Sequence, residues 1–537
     1  MTNTHLVLKD VSHVLPDGRT LFSDLNELFD LRSTGLVGRN GVGKTLLARI
    51  LARLLQPTSG YCQCSGSVYY LAQQVIYPDG STVADLVGVK RTLDALARIE
   101  SGSTASEDFD AVGDDWDIHQ RLQYELEHNN LGHLVADTPA GILSGGEAVR
   151  VSLIGATLSD ADFLILDEPS NHLDRPNRQA LIEQLQRWPH GLIVVSHDRQ
   201  LLEVMERIVE LSSQGLHSYG GNYSFYAEAK AHERQHALQN LNERKLERQR
   251  QEQAARKQRE RQERRQARGY RQGKIANQAK SLLDRQKERC ETSSGKLCKK
   301  HAAIRAQLNQ HVREAAQQVE DESQIILHAI AITQSVKRRV AELDRVELPY
   351  VTTSTRAISL ILSGQQRIGV VGPNGCGKST LLRVLSGQLK PLTGSCKVTS
   401  ENAYLNQELG NLDPDKTVLA QLQLANRKAI EGDLRMRLAQ LGLNAQKIAI
   451  PSRSLSGGER LKGALACILY ADSPPQLLLL DEPNNHLDLP SIQALEIMLR
   501  SYQGTLVIVS HDDSFLENLE LTDFLLATEQ GWSLESL

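Results

Sequence analysis

The octapeptide Gly38-Arg39-Asn40-Gly41-Val42-Gly43-Lys44-Thr45 recurs as Gly372-Pro373-Asn374-Gly375-Cys376-Gly377-Lys378-Ser379, with Thr380 following. An apolar run precedes each copy, Leu36-Val37 in the first and Ile368-Gly369-Val370-Val371 in the second. A leucine-rich stretch follows each, at 46–54 and 381–385. This is the pattern of a strand, a glycine-rich turn and a helix. The glycines let backbone N–H groups converge on phosphate oxygens, and the helix N-terminus adds positive potential. Lys44 and Lys378 are placed to reach the β- and γ-phosphates of a nucleotide, and Thr45 and Ser379 to ligate Mg2+.

Outward from these loops, more motifs repeat in the same order. YLAQ ends at Gln73 and YLNQ at Gln407, sharing the 334-residue offset of the glycine loops. LSGGE starts at Leu143 and at Leu455. LDEPSNHLD ends at Asp174 and LDEPNNHLD at Asp488, an offset of 314 that His197 and His511 share. The chain is therefore a duplicated unit. From Gln73 to Ser144 is 71 residues and from Gln407 to Ser456 is 49, so the first copy carries an insertion, placed at about 89–117. Its acidic part, 100–117, reads as a loop or a short helical excursion. The expected domains are 1–222, 223–322 and 323–537.

Each motif has a physical task. Phe163–Leu166 and Leu477–Leu480 read as buried parallel strands that end in carboxylates beside the glycine loop. Asp167 and Asp481 are the expected Mg2+ holders, with Thr45, Ser379, Gln73 and Gln407 completing the candidate ligand set. Glu168 and Glu482 are the candidate general bases for an attacking water. Alone, such an acidic pair would be an ordinary solvated strand end; beside a phosphate loop it is not. His197 and His511 follow apolar strands and read as sensors of the γ-phosphate. They do not form nucleophilic triads, because adjacent Ser-His-Asp groups cannot converge on one point. Ser144-Gly145-Gly146-Glu147 and Ser456-Gly457-Gly458-Glu459 read as helix caps that offer a hydroxyl and N–H donors to a phosphate.

Composition bounds the rest. The chain of 537 residues is too long for one core. No apolar run approaches the roughly 18 residues that would cross a bilayer. The start, Met-Thr-Asn-Thr-His, lacks the features of a secretory signal, so the expected compartment is the cytosol. Seven scattered cysteines argue for free thiols, and Cys62-x-Cys64 has no second pair for zinc. The net charge of −4 hides a segment, 228–300, with 22 Lys/Arg against 10 Asp/Glu. Residues 227–268 contain no Gly or Pro and favour helix. Arg268–Lys274, with two glycines, is expected to break that helix, and helix is expected to resume to about residue 320. The reading is an antiparallel hairpin, polar all round, with limbs of about 65 Å. Alternating apolar residues at 324–332 and 340–350 read as strands that open the second copy.

With these residues assembled, both halves resemble ATP-binding cassettes, and the whole chain resembles the ABC-F group of tandem cassette proteins. LSGGE in both copies, DEPSNHLD, DEPNNHLD, and GNYSFY leading into a long charged linker carry the resemblance. It implies an α/β fold of two P-loop NTPase cassettes in tandem, joined by a long α-helical hairpin and paired within one monomer. It implies composite ATP sites, with Lys44, Asp167 and Glu168 facing Ser456-Gly457-Gly458, and Lys378, Asp481 and Glu482 facing Ser144-Gly145-Gly146. It also implies a ribosomal partner, rRNA and tRNA, met by the basic linker, and no membrane. Two departures point to unequal sites, with the first binding ATP less tightly. Leu46 stands where the second copy has Thr380, and Leu15 near where an adenine-stacking aromatic is expected, a role Tyr350 can fill in the second copy. The first-copy insertion is short beside the family's longer arms, and about 26 residues follow His511, so no C-terminal nucleic-acid-binding coiled coil is expected. The competing readings are the motor subunit of a membrane transporter, which would not need a charged linker of this length, and a DNA-repair-type cassette ATPase, which usually carries zinc motifs or longer coiled coils.

Overall fold

The computed structural model describes residues 4–73, 77–171, 173–275, 302–316, 339–352, 354–406, 412–485 and 487–537. Each half is built on a six-stranded sheet. In the first, the order is Val68–Leu71, Phe163–Asp167, Gly191–Val195, Ser33–Gly38, Arg207–Ser212 and Gly215–Tyr219. All neighbours are parallel except the last pair. The second half repeats this with Asn402–Leu405, Leu477–Asp481, Thr505–Val509, Arg367–Val371, Asp523–Thr528 and Gly531–Ser536. The expected runs Phe163–Leu166 and Leu477–Leu480 are central strands buried on both faces, which is why they read as unbroken apolar residues.

A three-stranded antiparallel sheet covers one face of each half: Thr20–Phe29, Leu6–Val14 and Ser59–Cys64 in the first, Ala357–Ser363, Arg339–Glu347 and Thr393–Val398 in the second. Between the two sheets lies the helix that follows the glycine loop, Lys44–Leu51 or Lys378–Leu385. In the first half Leu6, Leu8, Val11, Phe22, Leu25 and Phe29 close over Leu47, Ile50 and Leu51, with Phe163, Ile165 and Val195 beneath. This packing fixes where the loop can point.

The first-copy insertion forms two helices, Lys90–Glu100 and Ser106–Val112, tied by Arg98 to Asp108 at 2.7 Å. The helix Ile118–His128 then buries Ile118, Leu122 and Leu126 against Val151, Ile154 and Leu158 of the helix that LSGGE begins. The expected strand at 340–350 is seen as Arg339–Glu347; the one at 324–332 lies outside the described residues.

Residues 227–324 form a compact unit of their own. The helix Tyr223–Ile275 starts at a cap in which Asn222 accepts from the N–H of Phe225 at 3.2 Å. Tyr226 is buried in the first cassette's core and meets Tyr219 edge-on at 5.1 Å. The expected break at Arg268–Lys274 does not occur, and the helix runs through both glycines to Ile275. Each glycine costs a helix about 1 kcal/mol, and the Arg, Gln, Glu and Ala around them outweigh it. Residues 302–316 are helical, and Arg305 lies 3.7 Å from Glu252, so the second limb runs beside the first. The reversal between them lies outside the described residues.

Leu480 is fully buried in the central strand that ends at Asp481. Leu480→Ala is expected to cost about 2–5 kcal/mol, read as a lower urea midpoint for the second cassette than for the wild-type chain.

Candidate functional site

The glycine loops adopt the backbone that their sequence demands. Gly41 and Gly43 have φ of 82° and 103°, and Gly375 and Gly377 have 79° and 97°. A Cβ on Gly43 would meet the Leu21 side chain at 2.4 Å, and one on Gly377 would meet Val351 at 2.6 Å. The loop is thus pressed against the antiparallel sheet, and its peptide groups turn toward the strand ends. Lys44 reaches back through Nζ to the carbonyls of Gly38 and Arg39, at 2.8 and 3.1 Å. Lys378 does the same to Gly372 and Pro373, both at 2.8 Å. Both ammonium groups are thereby fixed over the loop, each with a third donor to spare.

The carboxylates arrive from the neighbouring strand. Ser379 donates through Oγ to Asp481 Oδ1 at 3.1 Å, and Tyr404 donates to its Oδ2 at 3.1 Å. In the first cassette, Tyr70 donates to Asp167 Oδ2 at 3.4 Å, while Oδ1 is buried without a hydrogen-bond partner among the described residues. Burial raises the pKa of Asp167 and of Asp481, and the neighbouring hydroxyls of Thr45 and Ser379 counter it. A hydroxyl and a carboxylate beside a phosphate cradle are the hard oxygen donors that Mg2+ takes, since Mg2+ is usually held by one or two carboxylates with phosphate and water. The residues present therefore fit that ion.

Glu168 and Glu482 stand next in the chain with φ of 50° and 48°, a left-handed backbone that side chains rarely adopt. The strain turns each carboxyl out of the strand and toward the histidine of the same cassette. His197 Nε2 is 3.5 Å from Glu168 Oε1, and His511 Nε2 is 3.4 Å from Glu482 Oε1. Burial pushes both glutamates well above the usual carboxylate range and both histidines well below theirs. Lys44 and Lys378 pull the glutamates the other way.

In the first cassette the expected residues share one cavity of about 400 Å³. Asn40, Gly41, Gly43, Lys44, Thr45, Gln73, Asp167, Glu168 and His197 line it, with Leu15 and Leu46. Gln407 lies outside the described residues. Tyr350, the expected stacking ring of the second copy, is 89% exposed. Ser144 and Ser456 are helix caps as expected. Each accepts from the N–H of Glu147 or Glu459, at 3.2 and 3.4 Å, and those glutamates accept in return from the serine N–H groups.

What sequence reading missed is the pair that joins the halves. Asp174 Oδ1 accepts from the N–H of Asn177, capping its own helix, and Oδ2 accepts from the N–H of Asn374 in the opposite glycine loop, at 3.2 Å for each bond. Asp488 mirrors it, with Ser491 N–H on Oδ1 at 3.0 Å and Asn40 N–H on Oδ2 at 2.9 Å. The capped helices abut the LSGGE turns: a Cβ on Gly146 would meet Asn177, and one on Gly458 would meet Ser491. Lys462, on the helix Gly457–Leu469, also lies near enough to Arg39 for their charges to interact. Each glycine loop therefore faces the serine-glycine turn of the other half. The signal was in the sequence, since both aspartates end the repeated nonapeptide.

Comparison with known proteins gives the family. The ABC transporter family pattern matches residues 27–171 and 355–485. The chain is 31% identical over 515 residues to the energy-dependent translational throttle protein EttA of Mycobacterium tuberculosis, covering 90% of this chain and 84% of that one. It is 31% identical over 516 residues to the tylosin resistance ATP-binding protein TlrC of Streptomyces fradiae, covering 89% of each. An archaeal ribosome recycling factor, solved with a ribosomal stalk protein, superposes with a TM-score of 0.55 at 17% identity, over 98% of this chain and 90% of that one. At that identity the likeness concerns the fold alone.

Asp488→Ala removes a helix cap and a bond between the halves at once. It is expected to cost about 1–3 kcal/mol, and Asp488→Asn, which keeps an acceptor, less. Urea denaturation of the three chains side by side checks the order.

Proposed function

The chain belongs to the ABC-F group of tandem ATP-binding cassette ATPases, and on that premise we propose that it is a ribosome-associated translation factor. ATP hydrolysis would set its binding and release. The observation that carries the reading is the crossed pair Asn40–Asp488 and Asn374–Asp174, which supports two ATP molecules held between the cassettes.

Each composite site takes its parts from both halves. The loops 38–45 and 372–379 cradle the phosphates, with Lys44 or Lys378 on the β- and γ-phosphates. Thr45 with Asp167, and Ser379 with Asp481, would hold Mg2+, with Gln73 and Gln407 as further ligands. The ion's role there is to neutralise charge on the phosphates. Ser456-Gly457-Gly458 and Ser144-Gly145-Gly146 offer a hydroxyl and N–H groups from the far side. Glu168 and Glu482 orient the attacking water and accept its proton. His197 and His511, held neutral by burial, donate to the γ-phosphate.

The basic linker supports an RNA partner, because many Lys and Arg on a long thin element suit phosphates. A transporter motor would need a permease and has no use for such a linker, and no helix among the described residues is long and apolar enough to cross a membrane. The named activities of the relatives, throttling translation and resisting tylosin, both suit a ribosomal target. Closure on ATP would fix the linker on that target and hydrolysis would release it.

Glu168→Gln with Glu482→Gln is expected to keep ATP binding and to lower turnover by about 100-fold or more. The double variant should pellet with ribosomes in ATP at low salt and be released as salt rises. A double variant that stays in the supernatant at low salt removes the ribosomal reading.

A further inference from the structure

Two copies of one motif that meet across an approximate two-fold bring like charges together. Here the turns His197-Asp198 and His511-Asp512 face each other, and all four residues are buried. Each aspartate caps the short helix that follows it. Asp198 lies near enough to Asp512 to raise its pKa, second only to burial as the cause. A symmetric interface would leave these two carboxylates bare or give each its own cation.

The chain does neither, and among the described residues the first cassette supplies the cations. Arg178, on the helix Arg175–Gln186, donates from Nη1 to the main-chain oxygen of His511 at 2.9 Å. Its Nε lies 3.2 Å from Asp198 Oδ2, so one guanidinium joins the two turns. Arg199 pairs with Glu496 at 2.6 Å, and Arg175 pairs with Asp513. The residues 314 positions later are Ile492 for Arg178, Asp513 for Arg199 and Leu489 for Arg175. The mirror of each arginine is apolar or acidic.

We infer that Arg178 is a positioning residue that acts across the cassette boundary on the hydrolytic site of Lys378, Glu482 and His511, and that the site of Lys44, Glu168 and His197 has no such aid. The inference rests on the reading of Glu168 and Glu482 as the two bases. Arg178 holds the peptide of the very residue whose ring stands 3.4 Å from Glu482. At the mirror position, Ile492 can neither donate a hydrogen bond nor carry charge. Parting the cassettes withdraws Arg178 from the second site and takes no equivalent group from the first. The two ATP sites therefore differ in how far hydrolysis depends on closure.

Steady-state ATPase of the full chain, without ribosomes, tests this in two backgrounds. Glu168→Gln leaves Glu482 as the working base, and Glu482→Gln leaves Glu168. In the first background Arg178→Met is expected to lower kcat about tenfold or more while KM for ATP moves less than about twofold. In the second background kcat should stay within about twofold. Arg178→Lys, which keeps the charge but not the planar fork, should restore part of kcat. Equal losses in both backgrounds, a loss confined to KM, or an unchanged kcat in the first background overturns the inference. Should Arg178→Met not fold, the same comparison with Arg178→Lys decides: a selective loss supports the inference and an equal one overturns it. With Arg178 intact, the combined Glu168→Gln and Glu482→Gln chain must be inactive. Turnover there removes the assignment of the bases and this inference with it, and is told apart because it needs no change at Arg178.

Discussion

Two carboxylates, Asp174 and Asp488, carry the constraint on which the rest of the structure depends. Each spends one oxygen on the N-terminus of its own helix and the other on a backbone N–H in the opposite glycine loop. Each of these bonds is charge-assisted, a backbone N–H given to a carboxylate, and together they hold the two loops to this register. With those bonds made, each phosphate cradle must face the other half's serine-glycine cap.

The interface that follows is symmetric in backbone and unequal in charge. The helix caps, the strained glutamates and the histidine turns recur in both halves with nearly the same geometry. The arginines do not recur: Arg175, Arg178 and Arg199 all belong to the first cassette and meet acids or carbonyls of the second. A single buried guanidinium between two acids is far better compensated than either acid alone. Duplication gave the chain two like sites, and substitutions at a few interface positions made them different.

Outside the cassettes, the chain departs from its own repeat in two places. The insertion before the first LSGGE folds as two helices beside a helical core that both halves possess. The linker helix grows from a cap at Asn222 and an aromatic root at Tyr219 and Tyr226, so its first turn belongs to the core of the first cassette. Beyond that root the helix is mostly polar, and side-chain pairs such as Arg305 with Glu252 join the limbs.

The sequence by itself determined the duplication, the fold class and most of the residues that line the first cavity, because a phosphate cradle requires glycines, a lysine and carboxylates at fixed spacings. It also placed the caps Ser144 and Ser456, since capping is local and three residues suffice to show it. It did not tell how far the linker helix runs, since Gly269 and Gly273 weaken a helix without forbidding it. Only the tertiary structure decided what Asp174, Asp488 and Arg178 do. Their partners lie 200, 448 and 333 residues away in the chain. No local pattern encodes a bond that exists only once the two halves are pressed together.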